Sequence, residues 1–215
     1  MARAIGEPLC KGTLTTEIKE LGQIADLVSP GLMQGSLLRM ENFLEVLGQH
    51  LPVRSFRELK IPLSVVAADY WSRRQVVLQK GELLPAIGAS AALPGLFKPA
   101  KLDGRMLIDG GMVNPVPFDL LAGKCDIIIA VDVSGIRSPL DRPNGPPFLE
   151  TVFTAFQIMQ QAILKEKLQQ HKPDLLLHPP LKDIRVLDFH KIDEIYRQSR
   201  KVKAKLEWEL ERLLA

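Results

Sequence analysis

Asp109 is the side chain in this sequence best suited to chemistry, because Gly110 and Gly111 follow it and Asn114, Pro115 and Pro117 come next. A carboxylate can take the proton of a hydroxyl, which is otherwise a weak nucleophile. Glycines beside it let the backbone turn sharply and let a ligand come close. The same tripeptide also makes a plain Asp-Gly turn, and on local grounds the turn is slightly favoured. Six serines precede Asp109, namely Ser29, Ser36, Ser55, Ser64, Ser72 and Ser90, and none lies in Gly-x-Ser-x-Gly, the elbow that presents a serine nucleophile. The nearest sequence, Gly88-Ala-Ser-Ala-Ala92, lacks the last glycine, and the run before it contains Pro85 and does not read as a strand. No glycine-rich loop that could bind an oxyanion precedes these serines. His50, His171, His178 and His190 show no ligand spacing, and Cys10 and Cys125 are far apart, so neither a metal nor an organic cofactor is expected.

The elements that must hold Asp109 follow from periodicity. Met106 to Ile108 is a short apolar run, the end of a hairpin arm from Lys101 that carries Asp109 into its turn. Before it, Thr15 to Val28 and Ser36 to Leu51 have helical apolar spacing, with Ser29-Pro30-Gly31 as a stop between them. Ile61 to Ala68, rich in β-branched and small residues, reads as a buried strand, parallel if helices flank it. Asp69 ends it as a turn residue, and Arg74 to Gln79 is its hairpin partner. Glu82 to Leu93 is a helix of small residues stopped by Pro94-Gly95, and Phe118 to Ala122 is a short helix. Asp126 to Val133 is the most apolar run and reads as a central strand, with Asp132 as an acceptor near its end. Residues 134–147 form a loop with four prolines and two glycines. Phe148 to Gln170 is a long helix with apolar positions from Val152 through Met159 to Leu168, Asp174 to His178 a short strand, and His190 to Ala215 a final amphipathic helix. Trp208 falls opposite the apolar face of that last helix, among Arg197, Arg200, Lys201 and Lys205. Strands alternating with helices predict an α/β sheet with helices on both faces.

Three segments in order carry a family likeness: Ala86-Ile-Gly-Ala-Ser-Ala-Ala-Leu-Pro-Gly-Leu-Phe-Lys-Pro99, Gly104-Arg-Met-Leu-Ile-Asp-Gly-Gly-Met-Val-Asn-Pro-Val-Pro117 and Cys125-Asp-Ile-Ile-Ile-Ala-Val-Asp-Val-Ser134. From about Pro30 to Ser134 the sequence resembles the patatin-like phospholipase family in its bacterial intracellular form. The resemblance implies a three-layer α/β/α fold and hydrolysis of acyl esters, often of lipids, by a serine–aspartate dyad without histidine. Asp109 matches the family's aspartate, and Gly110 and Gly111 complete its motif. The family's serine elbow and oxyanion loop lie nearer the N-terminus and have no match here. The expectation is one patatin-like domain over residues 1–215, equivalent to the C-terminal two-thirds of the family's and incomplete at its N-terminus, with 148–215 as a helical extension. Such a chain would supply the aspartate, be inactive alone, and expose an apolar edge that wants a partner. Two other readings stay open: a non-catalytic remnant used for binding or assembly, and a triad of Ser90, Asp109 and one of His171, His178 or His190.

Composition narrows the partners. The chain has 215 residues, 46% hydrophobic and 25% charged, enough for one sizeable core. A net charge of +3 is mild, and no basic patch is interleaved with aromatics, so nucleic acid is not expected. An acyl ester or phospholipid is the implied substrate; peripheral membrane contact and self-association are left open. Two distant cysteines and the lack of a long apolar run predict a cytoplasmic protein, one that could touch membrane surfaces.

Overall fold

A computed structural model describes residues 38–136, 138, 145–184 and 188–214. The helix expected over Thr15 to Val28, its stop at Ser29 to Gly31 and the helix start at Ser36 lie outside the described residues, as does half of the 134–147 loop. The described residues fall into two compact units, the larger holding 38–132 and 145–176, the smaller 133–136, 138, 177–184 and 188–214.

The larger unit is built on a four-stranded antiparallel sheet. Its strands are β1 (Val65–Asp69), β2 (Gln75–Leu78), β3 (Ala100–Leu102) and β4 (Arg105–Asp109), in the order β2-β1-β4-β3. Val66 lies opposite Val77, and Ala67 opposite both Val76 and Asp109. The parallel pairing suggested for β1 is therefore not what forms. Tight turns join β1 to β2 and β3 to β4, and only antiparallel strands can be joined so shortly. The strand also starts four residues later than its apolar run, since Pro62 interrupts it and Ile61 is left 79% exposed.

Helix α1 spans Met40–His50, starting later than the apolar pattern from Ser36; Leu38 is instead buried, its N–H donating to the Leu96 carbonyl at 2.9 Å. Helix α2 spans Leu83–Ser90 and covers the sheet with its small residues. Ala89 packs with Ala67 and Leu107, and Leu83 and Ala86 pack with Phe56. Small side chains are what this arrangement needs: a Cβ on Gly88 would already touch Leu44 of α1 at 3.0 Å. Leu83 and Leu107 are almost wholly buried, and each such side chain contributes about 1.5–3 kcal/mol.

A third cluster joins Val116, Phe118, Ala130 and Leu164. Ala130 belongs to β5 (Ile129–Val131), and Leu164 to α3 (Phe148–Gln170). The central strand expected over Asp126 to Val133 is only three residues long. Among the described residues its strand partner is β6 (Leu175–Leu177), not the larger sheet, and Val131 and Val133 are 46% and 67% exposed. Its apolar run overstates its centrality because neighbouring strands, not composition, decide which faces are buried. In α3, Phe153 and Leu164 face inward as their spacing requires, while Met159 faces out.

In the smaller unit, Ile136 pairs with Lys182 in a parallel bridge, and Ser138 donates through both its N–H and its hydroxyl to Asp183. Helix α4 (Ile192–Leu214) carries the expected amphipathic pattern, yet none of its residues is buried. Gln198 ties it to Lys182, accepting from the backbone N–H at 2.7 Å. Among the described residues no helix is long and apolar enough to cross a membrane.

Candidate active site

Asp109 is the last residue of β4, two positions beyond the buried Leu107, so strand alternation puts both on one face of the sheet. Its N–H donates to the Ala92 carbonyl at 3.0 Å, which stitches the end of the strand to the turn after α2. The chain then enters a short 3-10 turn, Gly110–Met112, and the Asp109 side chain caps it: Oδ1 accepts from the Gly111 N–H at 2.6 Å. Among the described residues that N–H is the only donor to the carboxylate. Burial raises the Asp109 pKa above the usual carboxylate range, and the Gly111 hydrogen bond only partly offsets it. A carboxylate short of donors and of water is a stronger base.

The two glycines serve different neighbours. Gly110 is buried against β1, where any Cβ would overlap the Val66 carbonyl, its carbon only 2.6 Å away. Gly111 leaves room for two side chains at once. A Cβ there would sit 2.9 Å from Asp109 Oδ1 and would overlap the Gln160 amide of α3. Asp-Gly-Gly is a turn whose capping group is the carboxylate itself.

Behind the turn lies a polar cluster that periodicity alone did not reveal. Asn114 is 5% exposed; its N–H donates to the Gly110 carbonyl at 2.9 Å, and its side-chain amide donates to Gln75 of β2 at 2.6 Å and to Asp119 at 3.1 Å. Lys167 of α3 spends its ammonium protons on Asn114 Oδ1, the Val116 carbonyl at 2.8 Å and Asp119 at 2.8 Å, and it sits 5.1 Å from the Phe118 ring centre. Burial pushes the Asp119 carboxyl up, but the hydrogen bonds from Lys167 and Asn114 outweigh it and hold the pKa below its usual range. The signal that could have found this cluster is in the sequence: Gln160 and Lys167 fall on the inward stripe of α3, four before and three after the buried Leu164.

The other candidates are placed elsewhere. Asp69 is a turn builder, accepting from the N–H groups of Trp71 at 3.0 Å and Ser72 at 2.8 Å. Ser90 ends α2, half-buried, and makes no hydrogen bond to Asp109, nor does any described histidine. The triad of Ser90, Asp109 and a histidine is therefore not assembled among the described residues. Asp132 is buried at the end of β5, as a strand-end group would be. No group of three or more histidine, cysteine, aspartate or glutamate side chains among the described residues is arranged to hold a metal ion.

Comparison with known proteins gives the same direction. A family model described as patatin-like phospholipase matches residues 13–122, which take in the sheet, α2 and the whole Asp109 turn. An uncharacterized NTE family protein of Mycobacterium tuberculosis is 35% identical over 124 residues, covering 57% of this chain and 34% of the relative. A second from the same organism is 26% identical over 151 residues, covering 60% of this chain and 26% of the relative. Lysophospholipase NTE1 of Eremothecium gossypii is 29% identical over 134 residues, covering 52% of this chain and 9% of that protein. The chain spans about a third or less of the length of these relatives. With more than half its length matched, and with Asp-Gly-Gly set at the end of an antiparallel sheet covered by a small-residue helix, the chain belongs to the patatin-like phospholipase family.

Proposed function

We propose that this chain supplies the base of a lipid acyl hydrolase. Asp109 takes the proton of a serine hydroxyl as the serine oxygen attacks the ester carbonyl. It then gives that proton to the departing alkoxide, and the cycle repeats with water to release the acyl group. The observation that carries this reading is the state of the Asp109 carboxylate. One oxygen is held by Gly111, the other meets no donor among the described residues, and desolvation raises its proton affinity. The serine and its oxyanion donors belong on a Gly-x-Ser-x-Gly segment that this sequence does not contain, so the chain alone is inactive. A lysophospholipid is the favoured substrate, by analogy with the fungal relative's name. A cytoplasmic place of action fits the exposed, unpaired Cys125.

Fluorophosphonate labelling with mass-spectrometric mapping tests this. The chain alone should carry no adduct on any serine. Joined to a patatin-like segment bearing Gly-x-Ser-x-Gly, it should hydrolyse lysophosphatidylcholine, and Asp109→Asn should lower kcat by about 10²–10⁴-fold without unfolding it. A stoichiometric adduct on Ser90 in the chain alone would overturn the assignment. Full activity in Asp109→Asn would leave a binding or assembly role instead.

A further inference from the structure

The most exposed aromatic pair in the larger unit sits on the turn between β1 and β2. Tyr70 and Trp71 are 48% and 75% exposed, and their rings meet edge to face with centroids 4.9 Å apart. Water-facing aromatics are costly in isolation and normally signal contact with something less polar. This turn is firmly built. Asp69 accepts from the N–H groups of Trp71 and Ser72, the Arg73 N–H donates to the Asp69 carbonyl at 2.9 Å, and the Asp69 N–H donates to the Arg74 carbonyl at 2.9 Å. Arg73 takes a left-handed backbone, φ 57°. These bonds fix the backbone that carries the two exposed rings.

The charge around them has one dominant sign. Arg73 and Arg74 are in the same turn, and Arg105, the first residue of β4, lies at the same end of the sheet, where the Tyr70 N–H donates to the Met106 carbonyl at 2.8 Å. Lys101 follows across β3, opposite Met106. All four cations are exposed. Among the described residues, the acidic ones at this end are Asp69, already engaged by two backbone N–H groups, and the exposed Asp103 of the β3–β4 turn. Amphipathic rings flanked by arginines on a hairpin tip suit the headgroup layer of an anionic bilayer: rings reach the acyl boundary while guanidinium groups meet phosphate. We propose that the Tyr70–Arg74 hairpin tip docks the protein on anionic lipid surfaces. Asp109 lies four strand positions beyond Arg105, which is level with Trp71, so the Asp109 turn is roughly 13 Å along the strand from the tip.

Docking of this kind needs no hydrolysis, so it can fail or succeed apart from the proposed activity. The test is partitioning of the full chain onto phosphatidylcholine vesicles with and without phosphatidylserine, read by co-sedimentation. Binding should require phosphatidylserine, weaken as salt is raised, and fall at least about tenfold in Trp71→Ala with Arg73→Glu and Arg74→Glu. Trp208→Phe should bind like the wild type. In that variant, whose tip is native, Trp71 emission should shift to the blue on adding phosphatidylserine vesicles and be quenched by brominated lipid. Any of four results overturns the proposal: no partitioning, equal binding of the triple variant, loss of binding in Trp208→Phe, or preference for a single-stranded oligonucleotide over vesicles.

Discussion

Asp109 holds two roles that pull its protonation in opposite directions. As the cap of the 3-10 turn it accepts from Gly111, which favours the charged form. As a group removed from water it prefers the neutral form, and that effect is larger. The sign for stability follows. A folded pKa above the ordinary 3.8 means that the native state binds the proton more tightly than the unfolded chain. This contribution to stability is present at low pH and is lost as pH rises from the ordinary value through the raised one. Asn keeps an acceptor for Gly111 and cannot ionise. Asp109→Asn should therefore gain stability relative to wild type as pH rises through that window, and hold the gain at neutral pH. Urea midpoints across a pH series would read it, and a variant that loses ground with rising pH would show that the ionised carboxylate is stabilised in the fold.

At the scale of elements, the turn after β4 is fixed from both sides. Below it, β1 comes so close that only glycine fits at 110. Above it, α3 lowers Gln160 onto Gly111 and reaches with Lys167 to Asn114, Val116 and Asp119. Lys167 is therefore what joins a helix some fifty residues downstream to the Asp109 turn. Lys167→Met keeps most of the side-chain volume but leaves Asn114 Oδ1, the Val116 carbonyl and the Asp119 carboxylate without their shared donor. Unsatisfied, partly buried polar groups cost about 1–3 kcal/mol each, less where water can enter, so a loss of about 2–3 kcal/mol is expected. Chemical denaturation would measure it. A loss below 0.5 kcal/mol, on the order of an ordinary surface change, would mean that the cluster does not hold the turn.

For the molecule as a whole, the two compact units differ in how they are held. The larger has three apolar clusters and nearly all of the deeply buried side chains. In the smaller, α4 is 23 residues long and buries none of them, being supported by surface pairs such as Arg197 with Glu194 and Arg212 with Glu209. Exposed pairs of this kind are screened by water and salt and contribute little. Ending the chain at Lys191 should then move Tm by less than about 4 °C and leave the cooperative unfolding of the larger unit intact, as scanning calorimetry would show. A much larger drop would mean that the half-buried apolar stripe of α4 packs more strongly than its partial exposure indicates.

Several features were legible in the residues alone. Small residues at 86–92 required a helix packed close to a strand, two glycines after an acid required a tight turn, and alternation brought Asp109 to the face that Leu107 buries. These are local rules of sterics and period, and they need no knowledge of neighbours. The role of Asp69 was also readable, because an aspartate at a strand end bonds to the N–H groups just after it. The two hairpins were readable as well, but the sequence could not say that β1 would lie antiparallel to β4, that the apolar run at 126–133 would contribute only a short strand beside β6, or that Lys167 would meet Asn114 across 53 residues. Those outcomes depend on which surfaces come together, and a side chain's burial or charge partner is a property of that meeting rather than of its own neighbourhood along the chain.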